Sequence, residues 1–371
     1  MSCPYQGEGG KMNFKAERIH IAIAGGIIGI ISVALVLLGN PANMGFCLAC
    51  FIRDTAGGLG LHRAEAVQYI RPEIIGLILG AMGLSMARGE FSPRGGSSPV
   101  TRFFLGFFVM IGCLMFLGCP FRMVLRLAGG DLNAVVGLVG FVAGIVVGVF
   151  FLKRGYSLRR TYKQGQGEGI LLPLIQIALL ILVVAAPAFI FFTAEGPGAK
   201  HAAIIISLAG GLIVGALAQY TRLCMVGGFR DMILFREPKL LIGFCMIFVT
   251  ALIGNLVLGK FNLGFTEQPV AHNDALWNFL GMLLAGFGCC LLGGCPLRQM
   301  VMAGEGNTDS AITYLGLLVG AAFCHNFGLA ASGKGPTPNG KVAVIIGLVV
   351  LFIIAAVNTF SKKESAGTER S

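Results

Sequence analysis

The sequence predicts an all-α polytopic membrane protein. It is built of two inverted repeats of about five spans each, with broken helices or re-entrant hairpins around a central constriction. Three observations lead there. Of the 371 residues, 56% are hydrophobic and only 12% charged, about half the charged share of a soluble domain. Apolar runs of spanning length recur throughout, near 19–39, 72–87, 103–118, 132–152, 170–193, 202–218, 238–258, 277–294, 310–331 and 342–360. Finally, two cysteine motifs return at nearly the same offset.

Taken in order, the chain opens on a tail (1–18) in which Cys3-Pro4 stands outside any span. Lys11, Lys15 and Arg18 flank a first apolar run too long for the core of a signal peptide, so they read as a cytoplasmic anchor. The loop 40–71 is polar for its location, with Arg53, Asp54, His62, Arg63 and Arg71. Its counterpart, 219–237, holds Arg222, Arg230, Asp231 and Arg236. Non-helical backbone at membrane depth survives only when buried in protein or lining a cavity, so re-entrant hairpins carrying Cys47 and Cys224 are expected. The stretch 88–100 and the Gly/Gln-rich segment 153–169 read as loops, the second joining the halves 1–165 and 166–371. Segments 259–276 and 332–341 are loops on the far side, and 361–371 is a polar tail expected to be disordered.

The net charge of +11 could suggest a nucleic-acid partner, but its distribution argues against one. Basic residues gather at Arg88/Arg94/Arg102, at Lys153/Arg154/Arg159/Arg160/Lys163 and at Lys362/Lys363. With about ten spans and both termini inside, these clusters share the cytoplasmic side, as the positive-inside rule requires.

The repeat carries the chemistry. Phe46-Cys47 followed by Arg53-Asp54 returns as Leu223-Cys224 followed by Arg230-Asp231, 177 residues on. Cys113 and Cys119-Pro120-Phe121-Arg122 return as Cys289 and Cys295-Pro296-Leu297-Arg298, 176 residues on. Proline pushes its predecessor out of the helical region yet is welcome as the first residue of a helix. Each Gly-Cys-Pro therefore predicts a break, with the cysteine at the N-cap of the following segment. Free N–H groups and the positive dipole end favour an anion there, and Arg122 or Arg298 adds fixed charge on the first turn. The unit reads as a site for a small, soft anion. The bland alternative is cysteine as a small apolar packing residue and arginine anchoring backbone carbonyls. If 113–119 is helical, its two thiols are separated by about 9 Å along the axis and about 120° around it. That exceeds disulfide range and suits a relay of weak S–H contacts. Arg53-Asp54 and Arg230-Asp231 read first as mutually neutralising pairs in a costly environment.

Other signals are weaker. Cys47-Leu48-Ala49-Cys50 is a CxxC, but Gly227 stands where Cys50 would pair, and no accompanying ligands suggest zinc. Asn40-Pro41-Ala42 resembles a water-channel signature but occurs once. Cys324-His325 lies in an apolar run and could relay a proton; the roles of Cys50, Cys290 and His325 stay open. His20, His62, His201 and His272 receive no role. No phosphate loop, nucleophile elbow or zinc-protease helix is present.

The doubled Cys-Pro-x-Arg units, the glycine-cysteine six residues before each, and the doubled Cys-x5-Arg-Asp resemble the YeeE/YedE family of sulfur-compound transporters over about 19–360. The length and spacing incline towards its YedE-like branch, associated with selenium. The resemblance implies an hourglass of inverted repeats in the inner membrane. It implies import, without enzymatic activity, metal or cofactor, of a small sulfur- or selenium-containing anion such as thiosulfate or a selenite-like species. Carried over residue by residue, it assigns transport to Cys47, Cys113, Cys119, Cys224, Cys289 and Cys295, with Arg53, Arg122, Arg230 and Arg298 alongside. A small cytoplasmic sulfur-carrier protein is an implied partner. The alternatives are a membrane thiol–disulfide oxidoreductase, which expects a cysteine of each half within bonding range of the other, and a structural subunit whose cysteines merely pack.

Overall fold

A computed structural model describes residues 14–368, with side chains from Lys15 to Phe360; Cys3-Pro4 lies outside the described residues. The described chain is helical: α1 (Phe14–Leu37), α2 (Leu48–Gly58), α3 (Pro72–Ala87), α4 (Pro99–Phe116), α5 (Pro120–Ala128), α6 (Asn133–Lys153), α7 (Gln166–Ala185), α8 (Ile204–Thr221), α9 (Met225–Phe235), α10 (Lys239–Val257), α11 (Ala275–Leu292), α12 (Pro296–Gly304), α13 (Thr308–Asn326) and α14 (Pro338–Thr368). One short pairing, β1 (Arg94–Gly95) with β2 (Tyr162–Lys163), ties two loops. Among the described residues nine segments are long and apolar enough to cross a membrane. The protein is thus an all-α polytopic membrane protein. The tenth expected span is α13, which carries Asp309, Thr313 and His325; it is not among the nine, yet it packs along α4. Helix α14 runs on to Thr368, into the stretch expected to be a disordered tail.

In lipid, helices gain little from excluding water between them, so small residues that let backbones approach drive association. Many of the 56 glycines serve this purpose. A Cβ on Gly140 or Gly144 of α6 would stand 2.2 Å from the carbonyl oxygens of Phe279 and Leu283 on α11. On α13, Gly316 and Gly320 meet Phe103 and Phe107 of α4 in the same way, at 2.2 and 2.8 Å. All four residues of the second contact correspond, at an offset of 176, to those of the first. The spacing first seen in cysteines therefore also organises the packing. Gly76 and Gly80 of α3 nest on Leu208 and Leu212 of α8, Gly25 and Gly29 of α1 on Gly243 and Ile247 of α10, and Gly112 of α4 on Gly281 of α11.

Loops gather at two ends. At one, Arg94 and Arg222 meet Glu305, and β1 meets β2. His20 near the start of α1 joins this end through Tyr220, and Arg18 through Glu237. At the other, Asn326 binds the Leu61 carbonyl, Thr193 meets Gln68, and Asn133 holds the Phe265 carbonyl. The broken helices lie between these ends.

Candidate functional site

The break after α4 begins at Leu117, whose φ of 61° is left-handed; at the end of α11, Gly293 takes the same role with φ 80°. The Gly118 N–H then donates to the Cys113 carbonyl at 2.7 Å, and the Gly294 N–H to the Cys289 carbonyl at 3.0 Å. This is the wrap that closes helices ending in a left-handed residue. The cysteine six residues before each Cys-Pro thus has a backbone task, accepting the bond that closes the break. Helix α4 stops at Phe116, so 113–119 is not helical. The helical displacement of the two thiols does not apply, because the turn sets their spacing.

After each break the chain re-enters a helix at proline, with Cys119 and Cys295 as N-caps of α5 and α12. Cys47 and Cys224 are the N-caps of α2 and α9, and their sulfurs accept from the N–H groups of Cys50 (3.4 Å) and Gly227 (3.3 Å). The four caps meet in pairs: Cys47 Sγ lies 4.0 Å from Cys119 Sγ, and Cys224 Sγ 3.9 Å from Cys295 Sγ. In the second pair the Met225 N–H also donates to Cys295 Sγ, and the Cys295 N–H to Cys224 Sγ. Each pair is therefore two helix N-termini facing each other across two sulfurs. Cys113 is within electrostatic reach of Cys47, Cys50 and Cys289, and Cys289 within reach of Cys224 and Cys295. All six thiols are at most 4% exposed. Both sulfur pairs join cysteines of the same half, whereas the oxidoreductase alternative expects a pair across halves.

The arginines divide. Arg122 is fully buried, and its guanidinium donates to the backbone carbonyls of Leu117, Asn43 (3.1 Å), Pro269 (3.3 Å) and Val270 (3.2 Å). Arg230 donates to the Gly293 carbonyl at 3.2 Å while paired with Asp231 at 2.8 Å. Leu117 and Gly293 are the left-handed residues of the two breaks, so an arginine satisfies a carbonyl that each break frees. This is the carbonyl-anchoring alternative rather than a free cation awaiting an anion. Arg53 forks onto Asp54 Oδ1 (2.9 and 2.6 Å), and Arg71 takes Asp54 Oδ2 at 2.7 Å, all buried. Arg298 keeps capacity: one nitrogen pairs with Glu305 at 2.9 Å, while its Nη1 is buried without a partner, as is Nη2 of Arg126.

Glu305 escaped sequence reasoning, and several residues weighed there find partners in the structure. Glu305, 2% exposed, gathers Arg94, Arg222 and Arg298 at 2.6 to 2.9 Å. It lies seven residues after Arg298, two turns along one helix face, and that spacing was a readable signal. Burial pushes its carboxyl up, but Arg298, Arg222 and Arg94 together outweigh burial and hold it below the usual carboxylate range. His325 stacks on His62 with centroids 4.6 Å apart. His62 accepts from the Ala64 N–H at Nδ1 (3.3 Å) and so donates from Nε2 to the Arg53 carbonyl (3.0 Å); burial lowers its pKa. Asn40, of the water-channel-like tripeptide, instead holds Gly45, Glu73 and Ala202. Cys50 lies 3.7 Å from Arg122, and Cys290 fills the notch at Gly148. All ten described cysteines are free, and among the described residues no cluster of three His, Cys, Asp or Glu side chains is arranged to hold a metal.

Fold and site define a multi-pass membrane protein whose broken helices meet at buried thiols. Residues 220–364, which span α9 to most of α14 and three of the six thiols, match the family described as sulphur transport. Over 119 residues the chain is 27% identical to the thiosulfate transporter TsuA of Escherichia coli (strain K12), a stretch covering 32% of this chain and 33% of that transporter. Both findings support the YeeE/YedE family.

Proposed function

We propose that the protein imports a small sulfur-containing anion, thiosulfate or a related selenium oxyanion, through a thiol-lined constriction. One observation carries this reading: two pairs of opposed helix N-termini, each bridged by sulfurs about 4 Å apart, with Cys113 and Cys289 within electrostatic reach of them and of each other. Helix N-termini attract negative charge, and neutral thiols can donate weak hydrogen bonds to a soft anion without repelling it. The anion passes from the Cys47–Cys119 pair to Cys113, then Cys289, then the Cys224–Cys295 pair. The near-complete burial of these thiols describes a closed state, and passage needs the caps to part.

The two halves act as inverted repeats. In support, α1, α3, α4 and α6 have counterparts α8, α10, α11 and α13 that cross between the two loop clusters in the opposite sense. The end that carries β1, β2 and Glu305 is the cytoplasmic side of the inner membrane, because the basic clusters gather there. A small sulfur-carrier protein receives the product on that side. Uptake of labelled thiosulfate and of selenite into proteoliposomes tests the function. The expected result is saturable uptake of one of them, while uptake of neither, alongside thiol-dependent reduction of a disulfide substrate, would favour the oxidoreductase alternative.

A further inference from the structure

At the end opposite Glu305, a carboxylate that the thiol path does not use is buried in the first turn of α3. Glu73 is 0% exposed. Its Oε1 accepts from Asn40 Nδ2 at 2.8 Å and from the Ser207 hydroxyl at 3.0 Å, whereas Oε2 is buried with no partner. Tyr69, within electrostatic reach of Glu73, is 3% exposed and its hydroxyl is also unpartnered. His201, exposed at the surface, stacks flat on the Tyr69 ring at 4.1 Å. An ionisable residue in a membrane span is costly and marks an ion or proton pathway by default. The Glu73 Oε2 and the Tyr69 hydroxyl are both buried polar atoms without a protein partner, and such groups call for a functional explanation.

We propose that Glu73 is a proton-binding site reached from this end by way of His201 and Tyr69, and that its protonation drives anion import; the second part rests on the transport reading above. The occupant is a proton rather than a metal cation. A hard cation requires about six oxygen ligands, and only one carboxylate oxygen and one phenol are open here. The surrounding groups are few. The loop after α1 contributes Asn40, and α8 contributes Ser207. The segment before α3 and α2 contribute Arg71, with Asp54 and Arg53 already paired to one another. Arg71 lies 5.2 Å over the Tyr69 ring and is held by the carbonyls of Pro197 and Lys200. No group in this set forms an ion pair with Glu73 among the described residues.

Two measurements decide the matter. In detergent, without substrate, dicyclohexylcarbodiimide labels protonated carboxyls in apolar surroundings, and the adduct on the Glu73 peptide is read by mass. Labelling is expected to rise several-fold on acidification and to vanish in Glu73→Gln. In proteoliposomes, an inward gradient of one pH unit supports about tenfold accumulation per proton carried. Wild type is expected to show this with luminal acidification, whereas Glu73→Gln loses both and keeps exchange of labelled for unlabelled thiosulfate. Absence of pH-dependent labelling in the wild type overturns the proposal, and so does undiminished gradient-driven uptake in Glu73→Gln. If the wild type moves no thiosulfate, the transport reading falls and labelling still decides whether Glu73 binds a proton.

Discussion

Replacing Gly118 by alanine tests how the break is held. A Cβ there would stand 2.9 Å from Arg122 Cδ and 3.2 to 3.3 Å from its Cβ and Cγ. Restoring ordinary contact moves the guanidinium by about half an ångström. Arg122 has nowhere to move: its bonds to Asn43, Val270 and Pro269 are already 3.1 to 3.3 Å, and such a shift lengthens them beyond hydrogen-bond range. One or two bonds from a buried charge are lost, at about 1.5–3 kcal/mol each, so Gly118→Ala costs about 1.5–6 kcal/mol. The equivalent Gly294→Ala meets Arg298 at 3.1 Å and Gln299 at 3.6 Å. Arg298 there pairs with one glutamate rather than several carbonyls, so the expected cost is about 1 kcal/mol. Thermal-shift measurements on the purified protein in detergent compare the two. At about 2 °C per kcal/mol for a chain of this size, Gly118→Ala should melt several degrees below Gly294→Ala. Equal midpoints, or the reverse order, would refute the carbonyl-anchoring role assigned to Arg122.

Three further outcomes follow from the same geometry. Asp54→Asn leaves Arg53 and Arg71 buried without their counter-charge and is expected to destabilise by about 3–5 kcal/mol, seen as loss of monodisperse protein on size exclusion. Gly293→Ala meets no neighbour but keeps φ at +80°, so its cost is strain alone, about 1–2 kcal/mol, with a modest drop in melting temperature. Glu305 has its pKa lowered in the folded protein. Its stabilising contribution is therefore full above the ordinary carboxylate pKa of about 4.3 and is lost as pH falls through the folded value. Melting curves taken across that acid range should fall less steeply for Glu305→Gln than for wild type.

Much of this was legible in the sequence because membrane burial leaves coarse marks. Apolar run length gave the spans, and Gly-Cys-Pro gave the breaks, since proline restricts its predecessor whatever surrounds it. The N-cap position of Cys119 and Cys295 followed from the same rule. The acid partners of Arg53 and Arg230 were legible as adjacent residues and that of Arg298 by its seven-residue spacing, but the carbonyl partners of Arg122 were not. Arg122 is held by the nearby Leu117 carbonyl and by carbonyls from two distant segments, Asn43 and Pro269-Val270, and no local pattern announces a carbonyl 147 residues away. Asn40 resembled a pore signature and turned out to brace Glu73, because a tripeptide cannot say which helix its side chain faces. The glycine contacts between α6 and α11 and between α4 and α13 were present at the 176-residue offset. They became meaningful only once the helices were seen side by side, since glycine is common in every span.

The central claim is that the opposed cysteine caps carry the anion, and uptake of labelled thiosulfate by proteoliposomes bearing Cys119→Ala or Cys295→Ala tests it most directly. Both positions are N-caps whose side chains do not cap their own helices, so alanine leaves the breaks closed and both proteins should fold, with Cys295→Ala melting slightly lower because it removes the acceptor of the Met225 N–H. The account predicts that uptake in each falls by at least about tenfold, roughly the loss of one hydrogen bond to a charged species. Wild-type uptake in both well-folded variants would contradict it and leave those sulfurs as packing.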